Sequence, residues 1–117
     1  MRHKNSGRKF DRNTSSRRAM LRNLTANLIL HEKIETTSTK AKEISKIAER
    51  MITQARRGDL HSRRLVAEYL LDPRVVKKLC EQIAPAYKDK TGGYTRITKS
   101  RVRPGDAAEL SFLELVK

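Results

Sequence analysis

Cysteine, tryptophan and proline are nearly missing from this chain: one Cys, no Trp and three Pro in 117 residues, with aromatics at 4%. A lone Cys80 excludes an internal disulfide and fits a reducing compartment. So few aromatics make a poor platform for stacking successive bases, which excludes single-strand binding of that kind. No stretch approaches the ~20 apolar residues of a membrane span. The best apolar run, 20–30, is interrupted by Arg22, Asn23, Thr25 and Asn27, too broken for a secretory signal. Acid is short as well: 13 Asp and Glu face 27 Lys and Arg, a formal charge of +14.

Catalytic groups are also sparse. His3, His31 and His61 lie far apart, without the i, i+4 or Cys/His spacing of zinc sites, so no metal site is expected. Cys80 falls on an apolar helical stripe, where a thiol is inert. Gly92-Gly93 lacks the spacing and the following lysine of a phosphate-cradling loop. The carboxylates mostly stand beside basic residues at helical spacing, as solvated pairs do. No catalytic residue, cofactor or small-molecule substrate is indicated, and the chain is not read as an enzyme.

What is present is positive charge in two blocks. Residues 1–31 hold eight Lys or Arg against Asp11 alone, and residues 88–103 hold six against Asp89. The stretch 32–87 is close to balanced, with twelve basic and eight acidic residues. Such self-repulsion favours a polyanionic partner, first a phosphate backbone and second an anionic membrane surface. The opening "MRHKNSGRKFDRNTSSRR" cannot bury a core, but an extended basic segment can track phosphates, with Asn5, Ser6, Asn13, Ser15 and Ser16 adding neutral hydrogen bonds. Its Arg-rich, acid-poor character also matches a mitochondrial presequence, yet the helix that would be sacrificed is needed for the core.

The pattern predicts an α+β fold of about four helices on a small three-stranded mixed sheet. A basic RNA-binding arm spans 1–12 and one globular domain 13–117. Asn13 or Thr14 caps a first helix with Met20, Leu21, Leu24 and Leu28 on one side and Arg18 and Arg22 on the other. A short strand follows at 34–37. The second helix carries the clearest stripe, Ala41, Ile44, Ile47, Ala48, Met51, Ile52 and Ala55, with Thr39 as N-cap and Gly58 as stop. A third helix covers 60–71, and Asp72-Pro73 opens a fourth that Pro85 ends. Turns at 91–93 and 103–106 frame strands at 94–99 and 110–116.

Two local motifs have plain explanations. "RRGDLHSRR" at 56–64 resembles an adhesive loop or a nuclear import signal, but a helix stop, an Asp59 cap and an exposed arginine face account for every residue. The third and fourth helices resemble a helix-turn-helix, which gives an alternative reading, a DNA-binding regulatory protein. Arg74, Lys77 and Lys78 are the only basic residues on the docking helix, too few for that role.

"MRH" at the start, "SGRK" at 6–9, "RN" with "SSRR" at 12–18, "HEKIETT" at 31–37, "KAKE" at 40–43, "GGYTRI" at 92–97, "RPGDAAE" at 103–109 and the closing "LELV" together resemble the bacterial-type large-subunit ribosomal protein seventeen family. The resemblance runs the length of the chain and argues against a presequence. It implies a cytoplasmic structural constituent of the ribosome, bound to large-subunit ribosomal RNA near the peptide exit tunnel beside neighbouring ribosomal proteins, with no membrane partner. The family's RNA-contacting motif falls on Arg2, His3, Lys4, Gly7, Arg8, Lys9, Arg12, Arg17 and Arg18, and its second anchor on Gly93, Tyr94, Arg96 and Lys99. Arg22, Arg101 and Arg103 join these by charge and placement. Asp11 stands where the family commonly has asparagine, which weakens a phosphate contact there, and Arg17-Arg18 replaces histidine-arginine, which strengthens one. Some members carry an acidic C-terminal extension that is absent here.

Overall fold

Helix caps set the framework of the computed structural model, which describes Phe10 and residues 12–116. Asn13 caps α1 (Thr14–His31), its side chain accepting from the Ser16 N–H at 2.8 Å. Asp59 caps α3 (Leu60–Leu70) through Ser62 N–H, and Asp72 caps α4 (Pro73–Lys78) through Arg74 N–H, with Pro73 in its first turn. Between them lie β1 (Lys33–Thr37) and α2 (Ser38–Arg56), and after them β2 (Thr95–Val102) and β3 (Glu109–Leu115).

Two predicted boundaries move. The N-cap of α2 is Thr37, not Thr39, and makes no side-chain cap bond; Ser38 instead pairs its hydroxyl with that of Ser111 at 2.6 Å, tying the helix start to the sheet. Pro85 does not end the fourth helix. It sits inside a last turn (Ala84–Ala86), because a π-helical turn at Leu79–Ile83 precedes it. Proline has no N–H for the i−4 carbonyl and its ring crowds that oxygen, and widening the turn accommodates both.

Both strand pairings are antiparallel, so the sheet is not mixed. β3, the last strand in sequence, lies between the other two in the order β1-β3-β2, with Ile34 and Ile97 both opposite Leu113. β1 and β2 share a direction but are not neighbours. Directly opposed residues share a face. Thr95, Leu113 and Ser111 therefore face α2, where the Ser45 and Thr95 hydroxyls meet at 2.7 Å.

The core lies where α2 crosses this face. Ala41, Ile44, Ala48, Ile52 and Ala55 of α2 are buried against Leu28 and Ile29, Val66 and Leu70, Val75 and Leu79, and Leu113 and Leu115. The 3–4 spacing of the α2 residues puts all five on one stripe. At about 1.5–3 kcal/mol per buried large aliphatic side chain, Ile44 and Ile52, both at 0% exposure, are the main anchors of the helix. Thr25 is buried too, and satisfies its hydroxyl on the Leu21 carbonyl at 2.7 Å.

Candidate nucleic-acid interface

From Arg12 to His31 the chain holds Arg12, Arg17, Arg18 and Arg22 and no carboxylate. Arg12 and Arg18 are exposed and Arg17 is half-buried, and none of the three makes an ion pair among the described residues. The first turn of α1 contains no acid, and its positive N-terminal dipole adds to their field. Arg22 is different. Its guanidinium lies over the Tyr69 ring of α3, 5.6 Å from the centroid, and its Nε is buried without a hydrogen-bond partner.

Arg2, His3, Lys4, Gly7, Arg8 and Lys9 lie outside the described residues. Phe10 lines a groove with Thr37, Ser38, Lys42, Ile97 and Lys99, at the junction of β1, α2 and β2. Arg12 follows two residues later, within ~7 Å of chain reach. Phe10, within the first predicted block, and Lys99 of the second thus border one groove.

Four of the six cations of the second block are not bare. Arg96 Nη1 stands 3.8 Å from Glu114 Oε1, Lys99 Nζ 3.8 Å from Glu109 Oε1, and Arg101 Nη2 3.4 Å from Glu35 Oε1. Arg103 holds Asp106 through a two-pronged fork at 3.0 and 2.5 Å. That fork keeps the Asp106 carboxyl well below the usual range, at about 2. Glu35 is lowered as well, first by the Ser100 hydroxyl that donates to it and then by Arg101. Arg96, Lys99, Arg101 and Arg103 therefore each have a carboxylate within 4 Å, three of them from other strands and the fourth from across the turn.

Tyr94 must be reassigned. At 1% exposure its ring is packed 5.2 Å from the Tyr87 ring, and its hydroxyl accepts from Arg56 at 2.7 Å and donates to the Lys90 carbonyl at 3.1 Å. Burial removes its ring from reach of a base, so Tyr94 packs the core beside Tyr87 instead of facing RNA. Gly93 serves the turn before β2: its φ is +67° and a Cβ there would meet nothing, so conformation rather than close approach explains the glycine.

The docking helix of the alternative reading has little free charge. Arg74 lies 3.2 Å from Asp72, and Lys78 donates to the Leu30 carbonyl at 2.6 Å and lies 3.7 Å from Glu32. Burial pushes the Cys80 thiol up, away from thiolate chemistry.

One surface escaped the sequence reading. The exposed residues of α2 are Thr39, Lys42, Lys46, Arg50 and Thr53, and exposed Arg57 follows at its end. The stretch 32–87 counts as balanced only because its acids are included. Those of α2 turn away: Glu49 accepts from the Thr95 N–H and hydroxyl, and the Glu43 side chain is only 13% exposed. The i, i+4 steps Lys42, Lys46, Arg50 were the available signal.

Comparison with known proteins places this geometry in a family. The family model described as Ribosomal protein L17 matches residues 20–116. Proteins named "Large ribosomal subunit protein bL17" are similar along the chain. That of Geobacter sulfurreducens is 55% identical over 117 residues, covering all of this chain and 67% of its own length. That of Trichlorobacter lovleyi is 56% identical over 117 residues, covering all of this chain and 94% of its own. That of Caldanaerobacter subterraneus subsp. tengcongensis is 55% identical over 111 residues, covering 95% and 99%.

Proposed function

The chain belongs to the Ribosomal protein L17 family, and from that premise we propose that it is a non-catalytic structural constituent of the large ribosomal subunit that binds ribosomal RNA by neutralising phosphates and fitting folded RNA by shape. It works in the cytoplasm, as part of the ribosome, on the outer face of the subunit near the peptide exit tunnel and beside neighbouring ribosomal proteins. The observation that carries the RNA reading is the acid-free run of Arg12, Arg17, Arg18 and Arg22, whose first three guanidiniums lack any protein counter-ion among the described residues. A folded chain alone gains nothing from such clustering, whereas phosphates convert it into binding energy through counterion release.

The arm residues Arg2, His3, Lys4, Gly7, Arg8 and Lys9 extend this surface, and Arg96, Lys99, Arg101 and Arg103 form a weaker second anchor behind Gly93. The deciding measurement is affinity for large-subunit ribosomal RNA across a salt series, for the full chain and for one lacking residues 1–12. Deletion removes Arg2, Lys4, Arg8, Lys9 and Arg12, and the log-affinity against log-salt slope should flatten by about 3.5–4.5 at 0.7–0.9 per phosphate contact. An unchanged affinity and slope would reject the arm as an RNA contact.

A further inference from the structure

We propose that the exposed face of α2 is a second phosphate-binding track for ribosomal RNA, formed by Lys42, Lys46, Arg50 and Arg57 with the Thr39 and Thr53 hydroxyls between them. The proposal rests on the RNA-binding reading above and extends it to residues outside the arm, α1 and β2. Three observations support it.

The first is the row itself. Lys42, Lys46 and Arg50 follow at four-residue steps, about 6 Å apart along the axis, and Arg57 extends the line to about 22 Å. No acid interrupts the fully exposed residues of α2. Lys46 has a helix partner in Glu43 at 3.5 Å, but Lys42, Arg50 and Arg57 have no ion pair among the described residues.

The second is that this arrangement works against the isolated helix. Like charges at i, i+4 repel. The first turn of α2 also lacks acid, and Lys40 and Lys42 stand near the positive end of its dipole. A helix shaped for stability alone would reverse that order, and an external polyanion removes the conflict.

The third is continuity. Lys42 lines the same groove as Phe10 and Lys99. Further along, Arg22 of α1 lies over the Tyr69 ring, 5.6 Å from its centroid, and the charge of Arg50 also acts on that phenol. The ridge therefore runs from the Phe10 groove toward Arg22 of α1.

The occupant follows from what the face lacks. A protein partner needs an apolar centre to exclude water. The large exposed apolar residues are Leu60, Leu65, Leu71, Ile97 and Val102, none of them on α2. A straight row of cations with small hydroxyls between them matches a phosphate backbone.

The test replaces Lys42, Lys46, Arg50 and Arg57 by Gln in the full chain, with Lys46→Gln/Arg50→Gln as a milder companion if the fourfold variant melts early. Affinity for large-subunit ribosomal RNA is measured from low to high salt, beside an Arg64→Gln/Lys77→Gln control on α3 and α4. The fourfold variant should lose about 3 from the salt slope and the double variant about 1.5, while the control changes little. Wild-type binding with an unchanged slope in both ridge variants would overturn the track and leave the arm intact. Failure of the wild-type chain to bind this RNA with salt dependence would instead overturn the functional reading beneath it. Normal RNA binding by a ridge variant that is nevertheless lost from large subunits in a high-salt wash would assign the ridge to a protein neighbour and overturn the proposal.

Discussion

Between Arg12 and Arg22 the chain places four arginines with no carboxylate, and between Arg96 and Arg103 it places four cations, again with none. In space the two regions diverge. Arg12 and Arg18 are exposed, Arg17 is half-buried without an ion pair among the described residues, and Arg22 lies over an aromatic ring. On β2 each cation meets an acid of another strand, Glu114, Glu109 or Glu35, and Arg103 meets Asp106 across the turn that follows. An exposed ion pair contributes about 0–1 kcal/mol to stability, so the pairs on β2 matter little for folding. Their effect is on the field, since a cation beside a carboxylate offers an approaching phosphate far less than a bare one. On the proposed RNA-binding reading, equal charge in sequence thus gives a strong and a weak anchor.

Substituting the bare cations should produce the largest change. Arg17→Gln/Arg18→Gln is expected to lower RNA affinity about tenfold or more near physiological salt and to reduce the salt slope by about 1.5, with the melting temperature unchanged. Filter binding across a salt series measures both. Replacing all of Arg96, Lys99, Arg101 and Arg103 by Gln removes twice as many charges and should still move the slope less than that pair does. A larger shift from the β2 variant would dissolve the distinction between the two regions.

The contrast can also be erased from the other side. Glu109→Gln/Glu114→Gln frees Lys99 and Arg96, and should tighten RNA binding by about two- to fivefold at low salt with a steeper slope. Weaker binding after this change would mean that the carboxylates orient the cations rather than mask them.

Acid titration should give a smaller, local effect. The folded pKa of Asp106 is depressed, to about 2 from a model-peptide value near 3.8, so its contribution is present above the higher value and fades as pH falls through the lower. The Ala108 N–H, which Asp106 also accepts at 3.3 Å, should keep its native NMR shift at pH 4 and lose it progressively toward pH 2. Asp106→Asn should abolish that titration.

Least of all should Tyr94→Phe affect binding. It removes the hydroxyl held by Arg56 and Lys90 and should cost about 1 kcal/mol of stability in denaturant melts, with RNA affinity unchanged. A drop in affinity at full stability would return Tyr94 to the interface.

The residues that cap α1, α3 and α4 and the stripe from Ala41 to Ala55 were legible because a helix is written over three or four neighbours, where side-chain oxygen, N–H and apolar period all lie close in sequence. The location of both basic blocks was legible for the same reason, since charge can be counted along a line. Whether that charge is free was not. Glu35 lies 66 residues from Arg101, and only the β1-β3-β2 order brings them together. Glu49 lies 46 residues from Thr95, whose backbone N–H draws it off the exposed face of α2 and away from the cations there. The sequence by itself thus determined the helices, the core stripe and the sign of the surface. Tertiary structure decided which cations remain available, because neutralisation acts over a few ångströms of space and is blind to distance along the chain.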